Sequence, residues 1–204
     1  MIRINHKQLD DFEHVYRINL VNSCSGYKSA NLIGTKSESG IENVAVFSSV
    51  THMGSNPPLM GFFCRPTTVS RNTYDNIKAT GYYTVNHIHN AILGDAHHTS
   101  AKYDATISEF NKTKLESDYK NDFFAPFLKN APLQMAMRYK EEYLIKANET
   151  ILVVGAVEDI YIDEVMLEND GFINLSKGNI AAINGLDGYS IPEASIRFPY
   201  QRPR

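Results

Sequence analysis

The segment Asn43–Thr73, NVAVFSSVTHMGSNPPLMGFFCRPTTVSRNT, carries the most information about the fold of this sequence. Its first part, Asn43–Val50, is rich in β-branched and aromatic residues and predicts a strand. A glycine and two consecutive prolines predict a loop over Thr51–Pro58, because proline cannot donate to a ladder and restricts the residue before it. The apolar run Leu59–Cys64 predicts a second strand. We therefore expect one polar loop between two strands.

Turn and helix signals extend this pattern on both sides. A second polar loop, Arg65–Asn72, leads into a predicted short helix over Thr73–Thr80, with Gly81 placed to end it. On the N-terminal side, Ser29–Thr35 predicts a strand, and the turn residues KSESG separate it from Asn43–Val50. These two strands are expected to form a hairpin.

The second half of the chain is dominated by two long predicted strands. After a strand over Tyr82–Ile88 and an interrupted helical region over Ala91–Phe110, apolar and polar residues alternate along Leu133–Lys146, which predicts a strand with one solvent-exposed face. The next strand, Thr150–Ile162, is apolar on both faces and is therefore expected to be covered twice. Its second cover is either another subunit or the protein's own helices. The element pattern favours an antiparallel barrel with appended helices over a βαβ fold.

Composition limits the class of protein. The chain has 204 residues with 43% hydrophobic and 21% charged side chains, which fits one domain over residues 1–204. No apolar run approaches the roughly 18 residues that a membrane span needs. A net charge of −3 argues against general nucleic-acid binding. The charged N-terminus and the absence of a CxxC pair lead us to expect a cytoplasmic protein with reduced Cys24 and Cys64.

Two polar loops hold the candidate ligand-binding residues. The first offers hydroxyls and exposed N–H groups suited to the polar edge of a heterocycle, from Ser48, Ser49, Thr51, His52 and Ser55. The second precedes a helix and offers two guanidinium groups and several hydroxyls, from Arg65, Thr67, Thr68, Ser70 and Arg71. Such a loop suits a phosphate group, because charge, free N–H groups and the helix dipole all favour an anion. The alternative is that the hydroxyls only cap the helix and both arginines are solvated.

Motifs of other enzyme classes are missing. The sequence lacks GxGxxG, GxxxxGK[ST], HExxH and GxSxG. Cys64 lies in an apolar strand, where an inert thiol is expected. The histidines between His87 and His98 could suggest a metal, but the helical neighbours His97 and His98 point about 100° apart and converge poorly. We expect no metal site, and no side chain is identified as catalytic.

The ordered combination of these segments resembles the flavin reductase-like domain of the FMN-binding split barrel. The resemblance rests on NLIGT, NVAVFSSV, SNPPLMGFF and SRNTYDNIKATGYYTVN, and extends over most of the chain. It implies a mainly β fold with appended helices, an antiparallel split β-barrel. It also implies a homodimer with one FMN or FAD per subunit near the interface.

The resemblance further implies a role for each loop. The first would contact the isoalloxazine ring through Ser48, Ser49, Val50, Thr51, His52 and Met53. The second would hold the ribityl phosphate through Arg65, Thr67, Thr68, Ser70, Arg71 and Thr73. In such a protein the flavin carries the redox chemistry and the chain positions it. The expected activity is that of an NADH- or NADPH-dependent flavin reductase, and the alternative is a flavin-bound electron carrier of the flavoredoxin type.

Overall fold

Twelve strands, all paired antiparallel, form the framework of residues 1–203, the part of the chain that the computed structural model describes; Arg204 lies outside it. The strands are β1 (Lys28–Ser29), β2 (Asn31–Lys36), β3 (Glu42–Phe47), β4 (Thr51–Ser55), β5 (Pro58–Cys64), β6 (Tyr82–His87), β7 (Ser117–Asp118), β8 (Phe127–Leu128), β9 (Leu133–Ile145), β10 (Thr150–Ile162), β11 (Ala182–Asn184) and β12 (Gly188–Ser190).

Short helices surround these strands. The α-helices are α1 (His6–Asp11), α2 (His14–Ser23), α3 (Asn72–Thr80) and α4 (Leu93–His98), and 3₁₀ turns occupy Asn90–Ile92, Glu109–Lys112, Glu164–Met166 and Leu175–Gly178. Among residues 1–203, no helix is both long enough and apolar enough to cross a bilayer.

The main sheet has seven strands in the order β3-β2-β6-β9-β10-β5-β4, so that β3 and β4 are its two edges. It curls around an apolar interior built from β2, β5, β6, β9 and β10, in which Phe62, Tyr83 and Met137 are buried. Ile77 of α3 closes this interior. The opposite face of β2 and β3 is covered by α4 and β11, which bury Leu32 and Val44. This arrangement confirms the predicted antiparallel split barrel.

Local signals located several elements correctly. The predicted hairpin is present as β2 and β3, with Asn31 opposite Phe47 and Lys36 opposite Glu42. The predicted helix is α3, which begins one residue earlier than expected. Gly81 ends it in the left-handed region, with φ of 78°, and its N–H donates to the carbonyl of Ile77 at 2.8 Å. This backbone conformation favours glycine because a Cβ would be strained there.

The prediction of a continuous loop over Thr51–Pro58 was wrong. Its first five residues form β4, which pairs with β5 from Thr51 opposite Gly61 to Ser55 opposite Pro58. The register shifts between His52 and Gly54, so Met53 is the extra residue of a bulge. Proline is tolerated here because Pro58 is the first residue of its strand.

One further prediction needs correction. The strand over Leu133–Ile145 has a solvent-exposed face only in its second half, because Leu133–Met137 are buried on both faces. Gln134, expected on the wet face, is buried and donates from Nε2 to the carbonyl of Leu128 in β8. The interrupted helical region expected over Ala91–Phe110 is present: α4 and the 3₁₀ turn Glu109–Lys112 are separated by a non-helical segment in which Asp104 accepts from the N–H of Thr106 at 2.9 Å.

Candidate functional site

The fold brings the two candidate loops together at the C-terminal end of β5. The hydroxyl of Ser49 accepts from the N–H of Phe63 at 3.0 Å and donates to its carbonyl at 3.3 Å. Phe63 lies two residues before Arg65, where the second loop begins. The first segment, Ser48–Met53, therefore lies alongside β5, and the second segment, Arg65–Thr73, begins where β5 ends. Pairing of β4 with β5 is the reason for this proximity.

The first segment lies at a free sheet edge. Thr51, His52 and Met53 belong to β4, which has β5 as its single neighbour, and all three are exposed. In an antiparallel ladder, alternate residues direct their N–H and C=O away from the paired strand. An edge strand thus presents hydrogen-bonding groups to a ligand. The carbonyl of Val50, just before β4, is held by the hydroxyl of Ser29 at 3.0 Å.

The two arginines of the second segment differ in exposure. Arg65, Thr67 and Thr68 are exposed, and Arg71 is partly buried, with Nε donating to the carbonyl of Pro66 at 3.4 Å. Neither arginine forms an ion pair with a carboxylate anywhere in residues 1–203. Guanidinium groups without an acidic partner remain available to an anionic ligand.

The start of α3 is shared between structural and candidate ligand groups. Asp75 accepts on Oδ2 from the hydroxyl of Ser70 at 2.9 Å and from the N–H of Arg71 at 3.2 Å. A carboxylate in the first turn is favourable to the helix dipole. The hydroxyl of Thr73 is buried and accepts from Nδ2 of Asn43 at 3.0 Å. The hydroxyls of Ser70 and Thr73 therefore bond other side chains of the protein and do not cap helix N–H groups, which is the role that the alternative gave them; the Asp75 carboxylate accepts from the N-cap N–H instead.

Cys64 is buried, and His97 and His98 contact different parts of the protein. Burial raises the pKa of the Cys64 thiol to about 11, although Arg71 lowers it in part, so this thiol is protonated at neutral pH. His97 and His98 contact different tyrosine hydroxyls, of Tyr189 at 3.3 Å and of Tyr103 at 2.7 Å. Within residues 1–203, no three His, Cys, Asp or Glu side chains are grouped to hold a metal ion.

An exposed apolar row lies beside the candidate loops. Phe63 of β5, Leu152 of β10 and Tyr143 of β9 are direct cross-strand neighbours on one face of the sheet. Phe63 and Tyr143 are 44% and 51% exposed. The thioether of Met53 covers Gly61 on the same part of the sheet, where a Cβ would meet it. Apolar side chains that gather in one exposed place are typical of a protein–protein contact.

Sequence reasoning missed three polar residues at the site. Asp75 carried a usable signal, because an acidic residue in the first turn commonly satisfies helix N–H groups. Ser29 and Asn31 carried none, because their contacts join distant parts of the chain: Ser29 is 21 residues from Val50. Asn31 is fully buried, and its Nδ2 donates to the Ser29 hydroxyl at 2.9 Å.

Known proteins are similar to this chain in both sequence and fold. The family model of the flavin reductase like domain matches residues 26–176. A split-barrel protein of Shewanella frigidimarina NCIMB 400 that carries a flavin reductase designation is 41% identical, with a TM-score of 0.95, over 98% of this chain and 100% of that chain. A search of the curated proteins finds no match.

More distant structures share the fold alone. The flavoredoxin of Desulfovibrio vulgaris (Miyazaki F) is 18% identical with a TM-score of 0.71, over 86% of this chain and 91% of its own. The FMN-binding protein of Thermus thermophilus, solved with bound 1-cyclohex-2-enone, is 15% identical with a TM-score of 0.70, over 85% of this chain and 90% of its own.

Proposed function

The chain belongs to the flavin reductase-like domain family, and we propose that it binds FMN between its two polar loops and acts as an NADH- or NADPH-dependent flavin reductase. Family membership supports a flavin-binding oxidoreductase-type protein. The single observation that carries the proposal is the convergence of Ser48–Met53 and Arg65–Thr73 at the end of β5, where Ser49 bridges the backbone of Phe63.

The residues present fit both ends of the cofactor. The free edge of β4 offers backbone donors and acceptors to the polar edge of a flavin ring. Arg65 and Arg71, without acidic partners, and the N-terminus of the nine-residue helix α3 suit a phosphate dianion. The N-cap residue Arg71 makes no side-chain hydrogen bond to the first turn. The FMN-binding protein of Thermus thermophilus shares this fold, so the fold is compatible with bound FMN.

In this proposal the chain positions groups and the cofactor reacts. Bound flavin supplies a two-electron acceptor for hydride from a reduced pyridine nucleotide. The edge of β4 orients the ring, the two arginines anchor the phosphate, and the apolar side chains of Met53 and Phe63 keep water from one side of the site. Burial keeps the Cys64 thiol protonated, so it takes no part as a nucleophile.

The proposed assembly is a homodimer. Phe63, Leu152 and Tyr143 form an apolar row on the face of β10 that is turned away from the interior, and this row adjoins the first loop. Apolar residues on both faces of Thr150–Ile162 predict that protein covers this strand on both sides. A second copy of the chain would cover the outer side. A symmetric contact there would place the two flavin sites beside the interface.

The test is the visible absorption spectrum of the protein reconstituted with FMN, recorded without oxygen before and after NADH or NADPH is added. If the protein is a flavin reductase, NADH or NADPH should bleach the absorption band of the bound flavin as fast as the enzyme turns over. Because flavoredoxin shares the fold, electron carriage is the second candidate function. A carrier would keep its colour with both nucleotides and bleach only with a chemical reductant. A protein that binds no flavin would contradict both functions.

The phosphate site has its own test. A charge-assisted contact contributes about 1.5–3 kcal/mol, so Arg71→Ala and Arg65→Ala should each weaken FMN binding about ten- to a hundredfold. Riboflavin lacks the phosphate and should bind the variants as it binds the wild type. Arg197→Ala, which removes a guanidinium paired with Asp170 at 2.7 Å, is the matched control and should change neither affinity. Equal losses for both ligands would contradict the phosphate assignment.

A further inference from the structure

A directional chain of hydrogen bonds begins in the sheet interior and ends on the first loop. Nδ2 of Asn31 donates to the hydroxyl of Ser29 at 2.9 Å, and that hydroxyl donates to the carbonyl of Val50 at 3.0 Å. Each group uses the role that its chemistry allows, since a serine hydroxyl has one proton and can accept at its lone pairs. The position of Val50 therefore depends on Ser29, and that of Ser29 on Asn31.

Two buried atoms beside this chain have no partner. Oδ1 of Asn31 and Nδ1 of His87 make no hydrogen bond to any described residue. Asn31 lies directly opposite His87 in the pairing of β2 with β6, so both side chains lie on the same face of the sheet. Directly opposite Cβ atoms are about 4.5–5.5 Å apart, which leaves room for a small bridging group.

Buried polar atoms are nearly always hydrogen-bonded, so two neighbouring ones that no protein group contacts suit one shared bridging group. Burial lowers the pKa of His87 to about 4, so its ring is neutral at pH 7 and has one N–H and one acceptor nitrogen. An amide oxygen and a neutral imidazole nitrogen match the hydrogen bonds of one water molecule, which commonly bridges such groups in protein interiors.

We propose that Asn31 and His87 hold one water molecule between them and, through Ser29, position the Val50–Thr51 peptide against the flavin ring. The inference rests on the proposed function, in which Ser48–Met53 contacts the ring. Because the peptide is planar and trans, fixing the Val50 carbonyl toward Ser29 keeps the Thr51 N–H on the side of β5, where Thr51 lies opposite Gly61, and so fixes the orientation of the β4 edge. Ser29, Asn31 and His87 are positioning residues; none of them touches the cofactor.

The first test is flavin affinity in the Ser29→Ala variant, which frees the Val50 carbonyl. Loss of one neutral hydrogen bond should weaken binding about three- to tenfold. The loss of affinity should be equal for FMN and riboflavin, because these hydrogen bonds position the segment that contacts the flavin ring and not the segment that binds the phosphate. Ser29→Thr keeps the hydroxyl and should restore affinity. The visible circular dichroism of the bound flavin should change in Ser29→Ala and return in Ser29→Thr.

A matched control separates positioning from general destabilisation. Thr84 also has a buried hydroxyl, which donates to the carbonyl of Pro126 at 2.6 Å, but its register neighbours place it on the opposite face of β6 from His87. Thr84→Val should lower the melting temperature while leaving flavin affinity and dichroism unchanged. If Ser29→Ala behaves in the same way, the role of Ser29 is structural and the inference is overturned.

The bridging water is tested by combining variants. His87→Gln alone should weaken flavin binding, but in the Ser29→Ala background it should add no further loss, because the chain is already broken. Additive losses would show that His87 is not connected to Val50 and would overturn the inference. If the wild type binds neither FMN nor riboflavin, the proposed function falls as well. If it binds both and Ser29→Ala binds equally well, only the positioning chain falls.

Discussion

Acid should destabilise the folded protein through His87. Burial lowers the pKa of this imidazole from its ordinary value of 6.5 to about 4, and its buried Nδ1 has no hydrogen-bond partner among the side chains and backbone of residues 1–203. Between these two pH values the unfolded chain binds a proton that the folded chain excludes. His87 therefore contributes its stability above pH 6.5, and that contribution is lost as the pH falls through the folded pKa of about 4.

The size of the effect follows from the two pKa values. Their difference of about 2.5 corresponds to about 3.4 kcal/mol, at about 1.36 kcal/mol for each pKa unit. His87 as a whole residue is only partly buried, so a protonated side chain would recover some contact with water and the loss would be smaller, about 2 kcal/mol. Because a domain is stable by about 5–15 kcal/mol, a change of this size is readily measured.

The measurement is urea unfolding of the flavin-free protein at pH values from 7.5 to 4, for the wild type and for His87→Gln. Glutamine keeps hydrogen-bonding groups but does not titrate. We expect the free energy of unfolding of the wild type to fall about 2 kcal/mol further than that of the variant. His98→Gln removes an exposed histidine and should follow the wild type. Parallel curves for the wild type and His87→Gln would refute the buried, neutral imidazole.

Three other predictions follow from buried or crowded positions. Burial raises the pKa of Glu109, whose Oε2 accepts from the Val44 N–H at 3.1 Å, so its ionisation costs stability as the pH rises through and above 4.5. Glu109→Gln should abolish this loss in urea titrations, since an amide oxygen also accepts. Gly155→Ala would place a Cβ in steric conflict with the Tyr83 hydroxyl and should lower the free energy of unfolding in urea by about 1–3 kcal/mol. Phe63→Asp should convert the proposed dimer to a monomer in sedimentation, and an unchanged mass would contradict that interface.

The sequence predicted those parts of the fold whose causes are local. β-Branched and other apolar residues located β2, β3 and β10, and a glycine after the last helical residue located the end of α3. It failed where a distant segment decides the outcome. β4 forms because β5 offers it a partner, and Gln134 is buried because β8 packs over it. The sequence of β4 does not show that β5 will pair with it, and the residues around Gln134 do not show that β8 will pack over them.

The candidate site divides in the same way. Residue type correctly marked the two loops as polar, but the hydroxyl of a serine or threonine can serve the fold as well as a ligand. The structure uses the hydroxyls of Ser49, Ser70 and Thr73 within the protein. A hydrogen bond from a ligand to one of these hydroxyls must then compete with the hydrogen bond that the hydroxyl already makes within the protein. The guanidinium groups of Arg65 and Arg71 face no such competition from a carboxylate within residues 1–203.

Phosphate recognition in the proposed site should therefore depend on the arginines and the first N–H groups of α3, with the hydroxyls in a supporting role. Asp75 sharpens this expectation, because its carboxylate already accepts from Ser70 and from the Arg71 N–H. A dianion placed beside Asp75 is repelled unless the two guanidinium groups neutralise it. The Asp75 carboxylate and the two arginines thus have complementary roles. The carboxylate stabilises the start of α3 when no ligand is bound, and the arginines offset its repulsion of a bound phosphate.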